Sequence, residues 1–295
     1  MSAKKIAKFY KDTKTLNISI EDIAELKAEE LSHEFNLEYG LCKNITKSMT
    51  SKKLKNDYEK LIKKNVDILL PENKEYPKKI KSFYKNAPVL YVTGNKKHLS
   101  STSVGVSGSR EASSDGLKNS YNVAKIAVEN NLTVVSGLAR GVDEAAHYGA
   151  VSNGGNTVMV IPYGIDSYFL KANTKLYDEA YCVVSMFTPS VRFSKWTAVE
   201  RNHLISSLSD ILFIIEAKEP SGSLMQGKIN LNFLKPTFVF DNGLAGNYNL
   251  IKKGATPVKK ESVAKIIKKS DLFFPSINFK STKYEVREIW EAKAV

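Results

Sequence analysis

From about residue 87 onward, short apolar runs alternate with stretches of helical periodicity. Candidate strands fall at 89–92, 104–107, 133–135, 157–161, 182–184, 211–215 and 237–240, and helix-like segments near 115–130, 142–152, 171–179, 200–208, 222–233 and 248–253. Apolar runs bounded by turns and separated by helices signify strands buried on both faces, because each crossover lays a helix over the sheet. The pattern predicts an α/β fold: an extended Rossmann-like, mainly parallel sheet with helices on both faces, over residues 73–256. Residues 1–72 read as a small, basic, helical N-terminal region. Ser19 and Asp22 are candidate caps of one helix there, and Tyr58, Leu61 and Ile62 share the face of another. Pro71 and Pro77 mark a linker between the two zones. Residues 257–295 form a short C-terminal extension, helical over 261–269 and then aromatic and basic.

Composition narrows the class. Hydrophobic residues make up 42% of the 295 and charged residues 25%, enough for a packed core. The chain carries no apolar run long enough to cross a membrane and no secretory leader, so a cytoplasmic protein without a membrane partner is expected. Cys42 and Cys182 stand in no metal-ligand spacing and read as free thiols. The net charge of +13 favours polyanionic partners. That charge is mostly lysine, so each arginine stands out, its planar fork being suited to bidentate phosphate contact.

In an open parallel sheet, ligands bind beyond the carboxyl ends of the strands. Three such ends carry glycine, hydroxyl or arginine at the entry to a helix. They are Gly108-Ser109-Arg110 followed by Ser113-Ser114, then Ser136-Gly137-Leu138-Ala139-Arg140-Gly141, then Glu216-Ala217 with Ser221-Gly222-Ser223. Helix-start N–H groups, hydroxyls and a fixed positive charge suit phosphate. A fourth segment, read as a loop from Pro162 to Asn173, sets Lys171 beside Tyr168 and Phe169, which are candidate base-stacking rings. Neither the dinucleotide fingerprint nor a Walker A loop is present. Asp143 and His147 lie one helical turn apart but lack a paired second histidine, so they read as a helix-start carboxylate and a core histidine, with no metal and no cofactor expected.

Taken in order, these segments resemble the DNA-processing protein A family, also called Smf. The resemblance runs from Gly108-Ser109-Arg110 through Val135-Ser136-Gly137-Leu138-Ala139-Arg140-Gly141-Val142-Asp143 and Ala146-His147. It continues with Tyr163-Gly164-Ile165-Asp166, Lys171-Ala172-Asn173, Arg201-Asn202, Leu208-Ser209-Asp210 and Ser221-Gly222-Ser223-Leu224, and ends at Gly254-Ala255. It implies a homodimeric, non-enzymatic protein that binds single-stranded DNA, protects it, and assists loading of the RecA recombinase during DNA uptake or recombination. It also implies that Arg110 and Lys171 contact phosphate, with Gly108, Ser109, Ser136, Gly137, Arg140 and Ser223 around them. The chain departs from the family at Ser185-Met186, at Met225-Gln226-Gly227 and at Phe240-Asp241-Asn242, and no clear C-terminal winged-helix domain is expected. The alternative from the residues themselves is a sensor or enzyme for a nucleotide derivative, with phage defence as one setting for it. Glu216 and Asp166 would then serve as acid/base or ribose-binding groups, although both read more simply as capping residues.

Overall fold

Two short strands, β1 (Asp67–Leu69) and β2 (Leu90–Gly94), open the sheet, and seven parallel ones follow: β3 (Ser103–Ser107), β4 (Thr133–Ser136), β5 (Thr157–Val160), β6 (Tyr181–Ser185), β7 (Ile211–Ile214), β8 (Thr237–Phe240) and β9 (Thr256–Val258). The computed structural model describes residues 25–49, 51–84, 89–171 and 179–270. Ser19, Asp22 and the aromatic tail beyond 270 lie outside the described residues. The strand order among the described residues is β1-β2-β6-β5-β4-β3-β7-β8-β9, with β2 antiparallel to both of its neighbours.

The chain therefore winds from β3 to β6 in one direction, then returns and winds from β7 to β9 in the other. The reversal leaves β3 beside β7, and the crevice beyond their carboxyl ends is the switch point where open α/β sheets bind ligands. Side-chain alternation along the strands feeds two layers. Val104, Val106 and Val134 pack with Val123, Ala124 and Ala127 of α5 (Ser114–Glu129) and with Val142, Ala146 and Ala150 of α6 (Val142–Val151). On the other face, Val135, Val158 and Val160 meet Leu204, Ile205 and Leu208 of α8 (Lys195–Leu208).

The remaining helices are α1 (Ala28–Glu34), α2 (Tyr39–Met49), α3 (Lys52–Lys63), α4 (Lys78–Phe83), α7 (Ile165–Lys171), α9 (Gly222–Asn232), α10 (Ala245–Lys252) and α11 (Val263–Ser270). Helices α1 and α2 share a small core of Ala28, Leu31, Phe35 and Cys42. Helix α3 instead lays Leu61 onto the sheet face beside Ile165 and Tyr168. The sheet unit is wider than residues 73–256. Strand β1 pairs with β2, and Val258, Val263 and Ile267 join the main core, so 67–72 and 256–270 belong to the same packed unit. Both edge strands are three residues long, and β9 contains Pro257, which left them without an alternating signature.

Two helices begin earlier than the sequence pattern suggests. Helix α8 starts at Lys195, because Ser194 and Thr197 cap each other reciprocally, Ser194 Oγ accepting the Thr197 N–H at 3.1 Å. The other correction concerns 162–173, expected to be a loop. It carries α7, which buries Ile165 and Tyr168 at the three-residue spacing of a helix face. Of the expected helix at 171–179, residues 172–178 lie outside the described residues.

Candidate nucleic-acid interface

Behind β4 the chain runs Gly137-Leu138-Ala139-Arg140-Gly141 before entering α6. Leu138 holds φ at 52° and Gly141 at 81°. A positive φ in a bulky residue such as Leu138 marks a loop held by its surroundings. The surroundings are a buried polar cluster. Arg201, one turn into α8 and almost fully buried, donates through Nη1 to the Gly137 carbonyl and, at 2.9 Å, to the Val160 carbonyl. Asp143, equally buried, crowds the same side of Gly137, where a Cβ would lie 2.7 Å from its Oδ2. Burial pushes its carboxyl up, while Arg201, the Ser136 hydroxyl and the Ala139 and Gly137 N–H groups pull it back. A Cβ on Gly137 would overlap Arg201 Nη1, so only glycine lets the loop lie against this cluster. His147, one turn on, is also buried. Its Nδ1 lies 2.7 Å from Thr157 Oγ1, and its pKa is driven down to about 3, by burial first and by Arg201 second.

The loop after β3 interlocks with this one. The Val142 N–H donates to the Ser109 carbonyl at 3.2 Å, and a Cβ on Gly141 would meet the carbonyl oxygens of Ser109 and Arg110 at 2.5 and 2.8 Å. Gly108 packs against Val142 in the same way. Arg110 and Arg140 are thus presented from two loops locked to each other, both side chains exposed. The Arg110 guanidinium lies 5.9 Å from the ring centroid of Phe193. Ser109 Oγ accepts the Glu111 N–H at 3.0 Å, and Glu111 in turn pairs with Lys218 at 3.1 Å.

The third strand end behaves differently. Glu216, at the end of β7, reaches across the switch point to the start of α5. Its carboxylate accepts the Ser113 N–H at 3.1 Å and the Ser113 hydroxyl, and Ser113 Oγ accepts the Gly116 N–H at 3.0 Å. The positive end of a 16-residue helix is therefore filled by the protein's own carboxylate. A nucleotide phosphate in a Rossmann-like fold would need that position. Glu216 has the capping role favoured from the sequence, and Asp166 pairs with Lys64 at 3.0 Å.

The remaining candidates divide by accessibility. Ser136 is fully buried, its hydroxyl donating to the Val106 carbonyl at 2.6 Å, and Gly137 is buried behind it. Ser223 is buried and donates to the Glu216 carbonyl at 3.2 Å. The hydroxyls of Ser136 and Ser223 thus brace the loops from within. Lys171 ends α7, and its side chain lies outside the described residues. Of the base-stacking candidates, Tyr168 is corrected, while Phe169 is half-buried. Tyr168 is 6% exposed among Met159, Ile161 and Val183, while Phe169 packs edge-on to it with Lys64 Nζ 5.2 Å from its ring centroid. Helical periodicity turns Tyr168 inward, so it offers no face to a base.

The exposed rings stand elsewhere. Phe193 is 49% and Trp196 64% exposed, on the segment leading into α8, with Arg192 and Lys195 exposed beside them. This stretch lies between a strand and a helix that begins about five residues before its apolar periodicity becomes visible, so it carries no sequence signature of its own. Arg201 falls inside the expected helix at 200–208, and nothing in the local pattern separates a buried arginine from an exposed one there.

Fold and site together define a Rossmann-like α/β protein with a basic switch-point crevice whose helix N-terminus is closed by an internal carboxylate. The sequence model of the family described as DNA recombination-mediator protein A matches residues 67–270, and the chain belongs to that family. It is 35% identical to the DNA processing protein DprA of Streptococcus pneumoniae over 61% of this chain and 66% of that protein. It is 30% identical to DprA of Bacillus subtilis over 63% and 66%. The matched region spans between about half and two thirds of the curated relatives' lengths. Among solved structures, the S. pneumoniae DNA processing protein A superposes with a TM-score of 0.74 at 26% identity, covering 90% of this chain and 93% of that one. A Helicobacter pylori DNA processing protein A, described for its single-stranded DNA binding mode, superposes at 0.61 and 25% identity, covering 70% and 98%.

Proposed function

We propose that this chain binds single-stranded DNA along the crevice beyond β3 and β4, with Arg110 and Arg140 as phosphate contacts and Lys171 flanking them. The observation that carries the reading is the interlock of two loops, each of which presents an exposed arginine. Guanidinium forks on rigid loops suit a phosphate chain, and a net charge of +13 supplies the long-range attraction. Family membership and the similarity to the H. pylori protein support the same reading. The alternative, a nucleotide-derivative sensor or enzyme, is disfavoured by Glu216, which fills the α5 start. The two buried acidic groups at the strand ends, Glu216 and Asp143, are both committed to internal hydrogen bonds, which favours a binding protein over a catalyst. In this reading the protein works in the cytoplasm as a homodimer. It shields incoming or exposed single strands and passes them to a RecA-type recombinase.

The test is a gel-shift titration with oligo-dT at several salt concentrations. Arg110→Ala and Lys171→Ala should each cost about 1–3 kcal/mol, as lost charge-assisted phosphate contacts do. Each should also reduce the salt slope by about 0.7, the single-strand value for one phosphate. Wild-type affinity and an unchanged slope in both variants would overturn the site. Stabilisation by a mononucleotide and not by oligo-dT would favour the alternative. Co-precipitation of a RecA-type recombinase with the DNA-loaded chain tests the handover.

A further inference from the structure

The segment between β6 and α8 is exposed yet tightly tied down. The Gly164 N–H donates to the Val191 carbonyl at 2.8 Å and the Asp166 N–H to the Pro189 carbonyl at 3.1 Å, while the Val191 N–H closes a turn onto Thr188 at 3.0 Å. At its start, Ser185 Oγ donates to the Tyr163 carbonyl at 2.7 Å and accepts the Phe187 N–H at 3.1 Å. A Cβ on Gly164 would overlap the carbonyl oxygens of Thr188 and Pro189, so the two segments are in backbone contact. On this braced support stand two large aromatic rings open to solvent. Trp196 rests edge-to-face on the buried Phe187 with centroids 6.0 Å apart, and Phe193 lies under the Arg110 guanidinium.

We propose that Phe193 and Trp196 form a base-stacking platform that receives unpaired nucleobases of the strand whose phosphate Arg110 holds. Exposed apolar rings are costly on a surface unless something covers them, and here their neighbours are cationic: Arg110, Arg192 and Lys195. Aromatic faces beside guanidinium and ammonium groups match the alternation of base and phosphate along a single strand. A duplex hides its base faces in the stack, so this platform selects single strands by shape, independently of sequence. The braced loop keeps the rings in place before the strand arrives, which spares the ordering cost of binding. The inference rests on the single-strand reading above and adds to it the group that recognises the base.

The experiment uses the full chain carrying Trp290→Phe, which leaves Trp196 as its single tryptophan. Oligo-dT should quench Trp196 fluorescence, and an abasic phosphate chain of equal length should not. Phe193→Leu and Trp196→Leu should each weaken oligo-dT binding at least about fivefold, the lower end of the range for one lost base–aromatic stack. Trp196→Leu should leave abasic-chain affinity unchanged, and Phe193→Tyr should bind as wild type. If oligo-dT binds by gel shift without quenching, or the leucine variants bind it normally, the platform falls and the single-strand reading stands. If the leucine variants lose abasic and base-bearing chains alike, the rings only support the fold and the platform falls. If no single strand binds at all, both readings fall together.

Discussion

Replacing Arg201, almost fully buried within α8, with methionine should cost this protein about 3–5 kcal/mol. Methionine preserves most of the side-chain volume and removes the charge. The change strips the Gly137 and Val160 carbonyls of their donor and leaves Asp143 buried without its counter-charge. Each orphaned carbonyl costs about 1–3 kcal/mol, and breaking one side of a buried charged pair costs about 3–5 kcal/mol in total. Asp143→Asn should cost a similar amount for the mirrored reason. The double variant should lose less than the two single losses summed, by about 1–3 kcal/mol, because two residues of one cluster are coupled. Urea unfolding, followed by far-ultraviolet circular dichroism and by tryptophan fluorescence, measures all three values. Oligo-dT titration of the folded variants should show weakened binding, since the 137–141 loop loses its anchor. Additive losses, or a cost under about 1 kcal/mol for Arg201→Met, would refute the view that a buried charge cluster sets the loop's shape.

Three other outcomes follow from the same geometry. Glu216→Ala should lower stability by about 1–2 kcal/mol, as loss of a helix cap does, and should make the melting temperature rise with added inorganic phosphate; a melting temperature as indifferent to phosphate as that of wild type would contradict the self-filled helix start. His147 should make the protein acid-sensitive. Its folded pKa of about 3 lies below the unfolded value of 6.5, so the unfolded chain alone takes up the proton between them. Its contribution is intact above pH 6.5 and declines by about 1.4 kcal/mol per unit as pH falls through that window; His147→Asn should flatten the slope of stability against pH between 6.5 and 4, and an unchanged slope would assign the acid sensitivity elsewhere. Gly164→Ala should cost about 1–3 kcal/mol by overpacking against Thr188 and Pro189, and should weaken oligo-dT binding by displacing the segment that carries Phe193; normal affinity in a destabilised variant would separate that segment from the interface.

The sheet was legible because its strands are buried on both faces. Runs such as Thr157-Val158-Met159-Val160 and Ile211-Leu212-Phe213-Ile214 can be little else. Glycine-bearing ends of those strands gave the position of the crevice, since parallel strands put all their exits on one edge. The division of labour inside the crevice was not legible. Ser136, Arg140 and Ser223 all look like phosphate-facing groups in the sequence. Yet Ser136 and Ser223 turn inward and Glu216 spends its charge on the neighbouring helix, leaving the arginines outward. That sorting depends on which loop leans on which, a relation between residues a hundred positions apart such as Ser113 and Glu216. The placement of Tyr168 was hidden for the same reason. Tyr168 beside Lys171 and Phe193 beside Arg192 are equivalent as strings, and only the helix that begins at Ile165 turns the first ring into the core while the braced turn at Gly164 leaves the second in solvent. One glycine, Gly164, thus lies at the junction of both outcomes. It starts the helix that hides Tyr168 and holds the segment that displays Phe193.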